Sequence, residues 1–134
     1  MTQHKNALLT INWHNATAEH VHHLLANGAK ANAYDIDGWT PLMTACKEGA
    51  SFGAIKTLVQ EGKACVNAAN PRNGITALML ACGSHSSTVV RFLLNQGACT
   101  GATDKWGWRP MSFALRHSKT ANIKCLRDYE RQHD

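Results

Sequence analysis

The sequence predicts an all-α repeat fold, a single file of about four helix-turn-helix units joined by extended turns. Three observations carry that expectation: a turn motif that recurs at a fixed interval, a second marker that recurs at the same interval, and apolar spacing of helical period between them. The turn motif "DGWTPLMTAC" at 37–46 aligns with "NGITALMLAC" at 73–82 and "WGWRPMSFAL" at 106–115, so Gly38, Gly74 and Gly107 lie 36 and 33 residues apart. The second marker is "LLANGA" at 24–29, "LVQEGKA" at 58–64 and "LLNQGA" at 93–98, which sets Gly28, Gly62 and Gly97 at intervals of 34 and 35. A period in this range is the signature of stacked supersecondary units, none of which can bury its apolar face alone.

Each element of the unit has a local cause. The first helix opens at Thr40-Pro41, a capping hydroxyl followed by a proline whose missing N–H would be unpaired at that position anyway. The second helix shows Val21, Leu24 and Leu25; Ile55, Leu58 and Val59; Val90, Leu93 and Leu94, three sets at offsets that place side chains on one helical face. Gly28, Gly62 and Gly97 each follow the stripe with two residues between, where a helix stops by entering the left-handed conformation. The second unit carries about three extra residues, one in "EGASFGAI" and about two in "GKACVNAANPRNG"; the turn ending at Gly74 is expected to project beyond its neighbours and to be mobile. The first unit lacks a leading turn, and the fourth sets Arg127 where the others carry a second core leucine or valine. Both have the character of caps, because the ends of a repeat stack need polar outer faces.

Composition narrows the function classes. A chain of 134 residues, 44% apolar and 17% charged, fits one globular domain. It has no run of about 18 apolar residues to cross a bilayer, and the N-terminus shows no secretory signal. Five cysteines, an odd number without CxxC pairing, are expected as free thiols in a reducing compartment, hence an intracellular location, cytoplasmic or nuclear, or the host cytosol for a delivered effector. The net charge of +5 leans basic without naming a ligand.

These residues resemble the ankyrin repeat family, whose pattern runs Asp-x-x-Gly-x-Thr-Pro-Leu-His-x-Ala, helix, Leu-Leu-x-x-Gly-Ala-x-x-Asn-Ala. Asp35, Gly38, Thr40, Pro41, Leu42, Ala45, Gly49, Leu58 and Gly62 match in one unit, and Gly74, Thr76, Leu78, Ala81, Leu93, Leu94, Gly97 and Ala98 in the next. The resemblance runs from roughly Lys5 to Tyr129 and implies one ankyrin-repeat domain over 1–134, with repeats at approximately 5–34, 35–70, 71–103 and 104–130 and four helical pairs. The family's histidine is Met43, Met79 and Ser112 here, so the hydrogen bonds it makes must be absent or replaced. Arg109 replaces the capping threonine of the last unit, which is expected to fray.

The resemblance also implies a row of projecting turn fingers beside a concave face of first helices, a non-catalytic surface that binds a protein partner as adaptor, inhibitor or effector. Trp39, Ile75 and Trp108, each just after a turn glycine, are expected to point outward as an apolar ridge, extended by Ile36 and Trp106. Tyr34, Thr103, Lys47, Glu48, Arg116 and His117 are expected to border it. Gathered exposed apolar side chains mark interaction surfaces, and tryptophan is enriched among their energetic anchors. The alternative is nucleic-acid binding through the basic last unit, where Lys105, Arg109, Arg116, Lys119, Lys124, Arg127 and Arg131 lie near two tryptophans that could stack on bases. No membrane association is expected, and the unbound chain is expected to be a monomer.

Other chemistry finds little support. His14, Glu19, His20 and His23 in and before "EHVHHLL" lack the fixed set of three or four ligands that zinc takes, so no metal and no cofactor are expected. Cys46 and Cys82, like Cys65 and Cys99, stand one layer apart, about 8–10 Å, beyond the Cα separation of about 7 Å that a disulfide spans. No phosphate loop, nucleophile elbow or carboxylate pair occurs, so no enzyme activity is expected.

Overall fold

The computed structural model describes residues 6–84 and 86–133. A single 3-10 turn (Ala7–Leu9) precedes seven helices: α1 (Ala18–Ala26), α2 (Pro41–Glu48), α3 (Phe52–Gln60), α4 (Ala77–Ser84), α5 (Ser87–Asn95), α6 (Pro110–Arg116) and α7 (Thr120–Gln132). Among the described residues there is no strand, only an isolated antiparallel bridge between Ala69 and Thr76. The all-α expectation holds.

Helices α2, α4 and α6 stack in one layer, and α1, α3, α5 and α7 in the other. The apolar stripes meet between the layers, where Leu42, Ile55, Leu58, Leu78, Val90 and Leu93 are all at most 1% exposed. Each such aliphatic side chain contributes about 1.5–3 kcal/mol through burial. Cys46 and Cys82 share this core, and all five cysteines are free.

The expected four helical pairs become three pairs and a reduced first unit. The Asn6 side chain accepts from the Leu8 N–H, and the Asn12 side chain accepts from the His14 N–H at 3.0 Å, so asparagine caps and turns take the backbone bonds that a longer helix would need. Trp13, 2% exposed and packed in the core, fills the space instead.

The threonine caps form as expected, with the Thr40 and Thr76 hydroxyls accepting from the Met43 and Met79 N–H groups. The residue in the family's histidine position answers each cap. The Met43 and Met79 sulfurs accept from the Thr40 and Thr76 N–H groups at 3.4 Å, and the Ser112 hydroxyl accepts from the Arg109 N–H at 3.1 Å. The last unit therefore keeps half of a capping box, since a guanidinium has no acceptor to supply the other half.

Two expectations about the second unit are corrected. The left-handed residue after α3 is Lys63, at φ 56°, not Gly62; the inserted residue moves the stop by one position. Gly62 is required for a different reason, because a Cβ there would lie 2.6 Å from the Leu58 carbonyl and 3.0 Å from the Ala31 Cβ. The loop before Gly74, expected to project and move, is docked on both sides. Asn70 is 1% exposed and donates to the Asp37 carbonyl at 3.1 Å, Arg72 reaches the Ile36 carbonyl at 2.7 Å, and the Lys105 N–H donates to the Asn73 carbonyl at 2.8 Å. The added length is used for bonding between units.

An asparagine ladder ties the segments between the second helices and the fingers. Asn6 bonds both backbone groups of Lys30, Asn32 bonds the Cys65 N–H and the Lys63 carbonyl, and Asn67 bonds the Cys99 N–H and the Gly97 carbonyl. Asn32 and Asn67 each satisfy one donor and one acceptor of the next unit, which fixes the stacking register, and Asn6 does the same within the first unit.

Candidate functional site

The fingers begin with a polar residue that folds the chain back on itself. The Asp35 carboxylate accepts from the Asp37 and Trp39 N–H groups, both at 2.9 Å, and Asp104 does the same for Trp106 and Trp108, both at 2.9 Å. In the middle finger the task is divided: Asn70 accepts from the Arg72 N–H at 2.8 Å and Asn73 from the Ile75 N–H at 3.0 Å. These are side-chain turns of the kind Asp and Asn form readily, and in each the polar residue's own N–H donates to the carbonyl of the residue after the glycine.

This bonding decides where the large side chains go. The expected outward residues, Trp39, Ile75 and Trp108, are only half-exposed. The exposed tips are Ile36, 85% exposed, and Trp106, 62% exposed, the two residues that were expected only to extend the ridge. The physical reason is the turn itself: the residue after the glycine is drawn back by its two backbone bonds to the Asp or Asn, while the residues between them face out.

Each half-buried indole carries a cation from the end of its own first helix. The Lys47 ammonium lies 5.2 Å from the Trp39 ring centre and the Arg116 guanidinium 5.1 Å from that of Trp108, within the range of cation–π attraction. Lys105 stands 4.5 Å over Trp106. In the middle unit the equivalent position is Gly83, so Ile75 has no such cover; a Cβ at Gly83 would lie 2.9 Å from the His117 ring, which rests on the gap.

Ile75, Trp106, Trp108, Arg116 and His117 meet around one hollow of about 390 Å³, together with Asp104 and Phe113. Trp39 and Lys47 form a separate pair, and Trp39 packs on the core. Tyr34, Glu48 and Thr103 are exposed. Phe113, which sequence reasoning missed, makes an edge contact with Trp108 at 5.6 Å. Aligning the units reveals it: Phe113 occupies the place of Thr44 and Leu80, and all three are half-buried.

Burial pushes the Cys46 and Cys82 thiols up to about 12, which keeps them protonated at neutral pH and removes the thiolate that a nucleophile needs. Among the described residues no three His, Cys, Asp or Glu side chains gather as a metal site, and no helix is long and apolar enough to cross a membrane.

Comparison with known families matches this chain to the model described as ankyrin repeats (3 copies), over residues 9–104 and 50–134. Human transient receptor potential cation channel subfamily A member 1 is 32% identical over 115 residues, 86% of this chain. The chain spans about a tenth of the length of that relative.

Proposed function

This chain belongs to the ankyrin repeat family, whose repeats are generally protein–protein interaction modules, and from that premise we propose that it is a non-catalytic binding module for a protein partner. The surface consists of the fingers and the concave face of α2, α4 and α6: Tyr34, Ile36, Trp39, Lys47, Glu48, Ile75, Trp106, Trp108, Arg116 and His117. The observation that carries this reading is the exposure of Ile36 and Trp106 at 85% and 62% on turns held by carboxylate and backbone bonds. Rigid loops that hold large apolar side chains in water have already met the ordering cost of an interface anchor.

The test is capture from the native cell lysate by the wild type and by the Trp39→Ala, Trp108→Ala double variant, followed by salt titration of the captured complex. A protein retained by the wild type and lost by the variant, with shallow salt dependence, supports the reading. Equal capture together with a lower melting temperature assigns the indoles to the scaffold. A steep linear fall of log affinity with log salt favours nucleic acid.

A further inference from the structure

We propose that the hollow between the Gly74 and Gly107 fingers is a specificity pocket for one bulky apolar side chain set within an acidic segment of the partner. The inference rests on the protein-binding reading and assigns its chemistry. The floor is apolar: Ile75, Trp108 and Phe113 line it, with Trp106 at its edge. Its volume of about 390 Å³ lies at the low end of pockets that engulf a small ligand, which suits a single leucine, phenylalanine or tryptophan side chain.

The rim sets the charge of the neighbours. Arg116 and His117 border the hollow, and Lys105 stands over Trp106 at its edge. The one carboxylate in the lining, Asp104, is 7% exposed and already accepts from two backbone N–H groups. The only ion pair among the described residues is His22 with Glu61, so Lys105, Arg109 and Arg116 have no carboxylate partner. An acidic residue beside the anchor would supply the missing counter-charge, and complementary rim charge selects partners more than it adds affinity. A stacked nucleobase fits less well, because Lys105 and Arg116 already lie over the two indole rings.

The unit alignment explains why the pocket is here and not between the first two fingers. Lys47 and Arg116 occupy the position that is Gly83 in the middle unit. A long side chain at 83 would stand beside Ile75 and push the His117 ring, whose nearest atom lies 2.9 Å from the site of a Cβ. Glycine leaves that place to the His117 ring, which lines the hollow.

The experiment pans a random dodecapeptide display library on the full chain, then measures a fluorescein-labelled consensus peptide by polarisation. Enriched peptides are expected to carry a large apolar residue flanked by Asp or Glu. Arg116→Glu, an exposed change, should weaken binding at least about tenfold, and a peptide with lysine flanks should recover it; Phe113→Ala should weaken both. Lys56→Glu, the same charge change on α3, should leave affinity unaltered. Absence of enrichment, peptides without acidic flanks, or equal binding to Arg116→Glu overturns the pocket. Peptides sensitive only to Ile36→Ala or Trp39→Ala reject the pocket and keep the protein-binding reading. Tight binding of an oligothymidylate probe that Arg116→Glu abolishes rejects both.

Discussion

The turn at 35–39 and the turn at 104–108 share the sequence Asp-x-x-Gly-Trp, the same pair of 2.9 Å carboxylate bonds, and a cation over the indole eight residues on. They differ in what lies on their C-terminal side. Asn70 and Arg72 clamp the first finger through the Asp37 and Ile36 carbonyls, and a Cβ on Gly38 would meet the Asn70 side chain at 2.5 Å. Nothing among the described residues lies within 4 Å of the same position on Gly107. One local motif is therefore clamped where a neighbouring unit follows it and left open at its glycine where none does. How tightly a finger is held depends on the unit stacked against it, not on its own sequence.

Replacing the two glycines breaks this contrast most strongly. Gly38 and Gly107 have φ of 87° and 83°, so alanine at either should cost about 1–2 kcal/mol in backbone strain. Gly38→Ala should cost about 1 kcal/mol more by disturbing the Asn70 bond, and urea denaturation of the two variants should show that gap. Equal midpoints would mean that the clamp contributes nothing.

The indoles come next. Trp39→Ala should lower stability by about 2 kcal/mol, half the usual cost for a fully buried aromatic, with a smaller effect on partner affinity. Trp108→Ala should do the reverse, weakening the partner by about 2 kcal/mol, roughly thirtyfold, in a titration at constant temperature. A smaller gain should follow from Arg109→Thr, which gives α6 the hydroxyl cap that Thr40 gives α2 and should stabilise by about 1 kcal/mol; the midpoint of thermal unfolding would report it. Smallest of all, Lys47→Ala and Arg116→Ala should each remove about 0.5 kcal/mol of cation–π attraction at a solvent-facing ring, visible as a reduced shift of the indole emission on titration with salt.

Much of the fold was legible because it depends on short-range signals. The Thr40-Pro41 cap, the Val21, Leu24, Leu25 spacing and the recurring glycines each specify their element locally, and the period specifies the stacking. The departures arose where one residue's role depends on another unit. Lys63 took the left-handed position because an insertion displaced Gly62, and the loop before Gly74 used its extra length to reach both neighbours. The methionine sulfurs that answer the threonine caps were invisible in a pattern that looks for histidine. Trp13, absent from the sequence-based expectations, replaces most of a helix in the first unit.

Some of the expected neighbours were legible, and their orientation less so. Ile75, Trp106, Trp108, Arg116 and His117 do converge, but the exposed tips are Ile36 and Trp106, because backbone bonds to Asp35 and Asp104 draw Trp39 and Trp108 inward. Side-chain direction on a turn follows its hydrogen bonds, which spacing alone does not reveal.

Hydrogen exchange of the two fingers, resolved at single amides by NMR, tests the scaffold-against-surface distinction most directly. The Gly38 and Gly107 N–H groups donate to the Asp35 and Asp104 carbonyls at the same 3.0 Å, so their intrinsic bonds are matched. Exchange should be slower at Gly38 and Trp39 than at Gly107 and Trp108 in the free chain, and a bound partner should slow the second pair and close the gap. Equal rates in the free chain, or partner protection confined to the first finger, would contradict it.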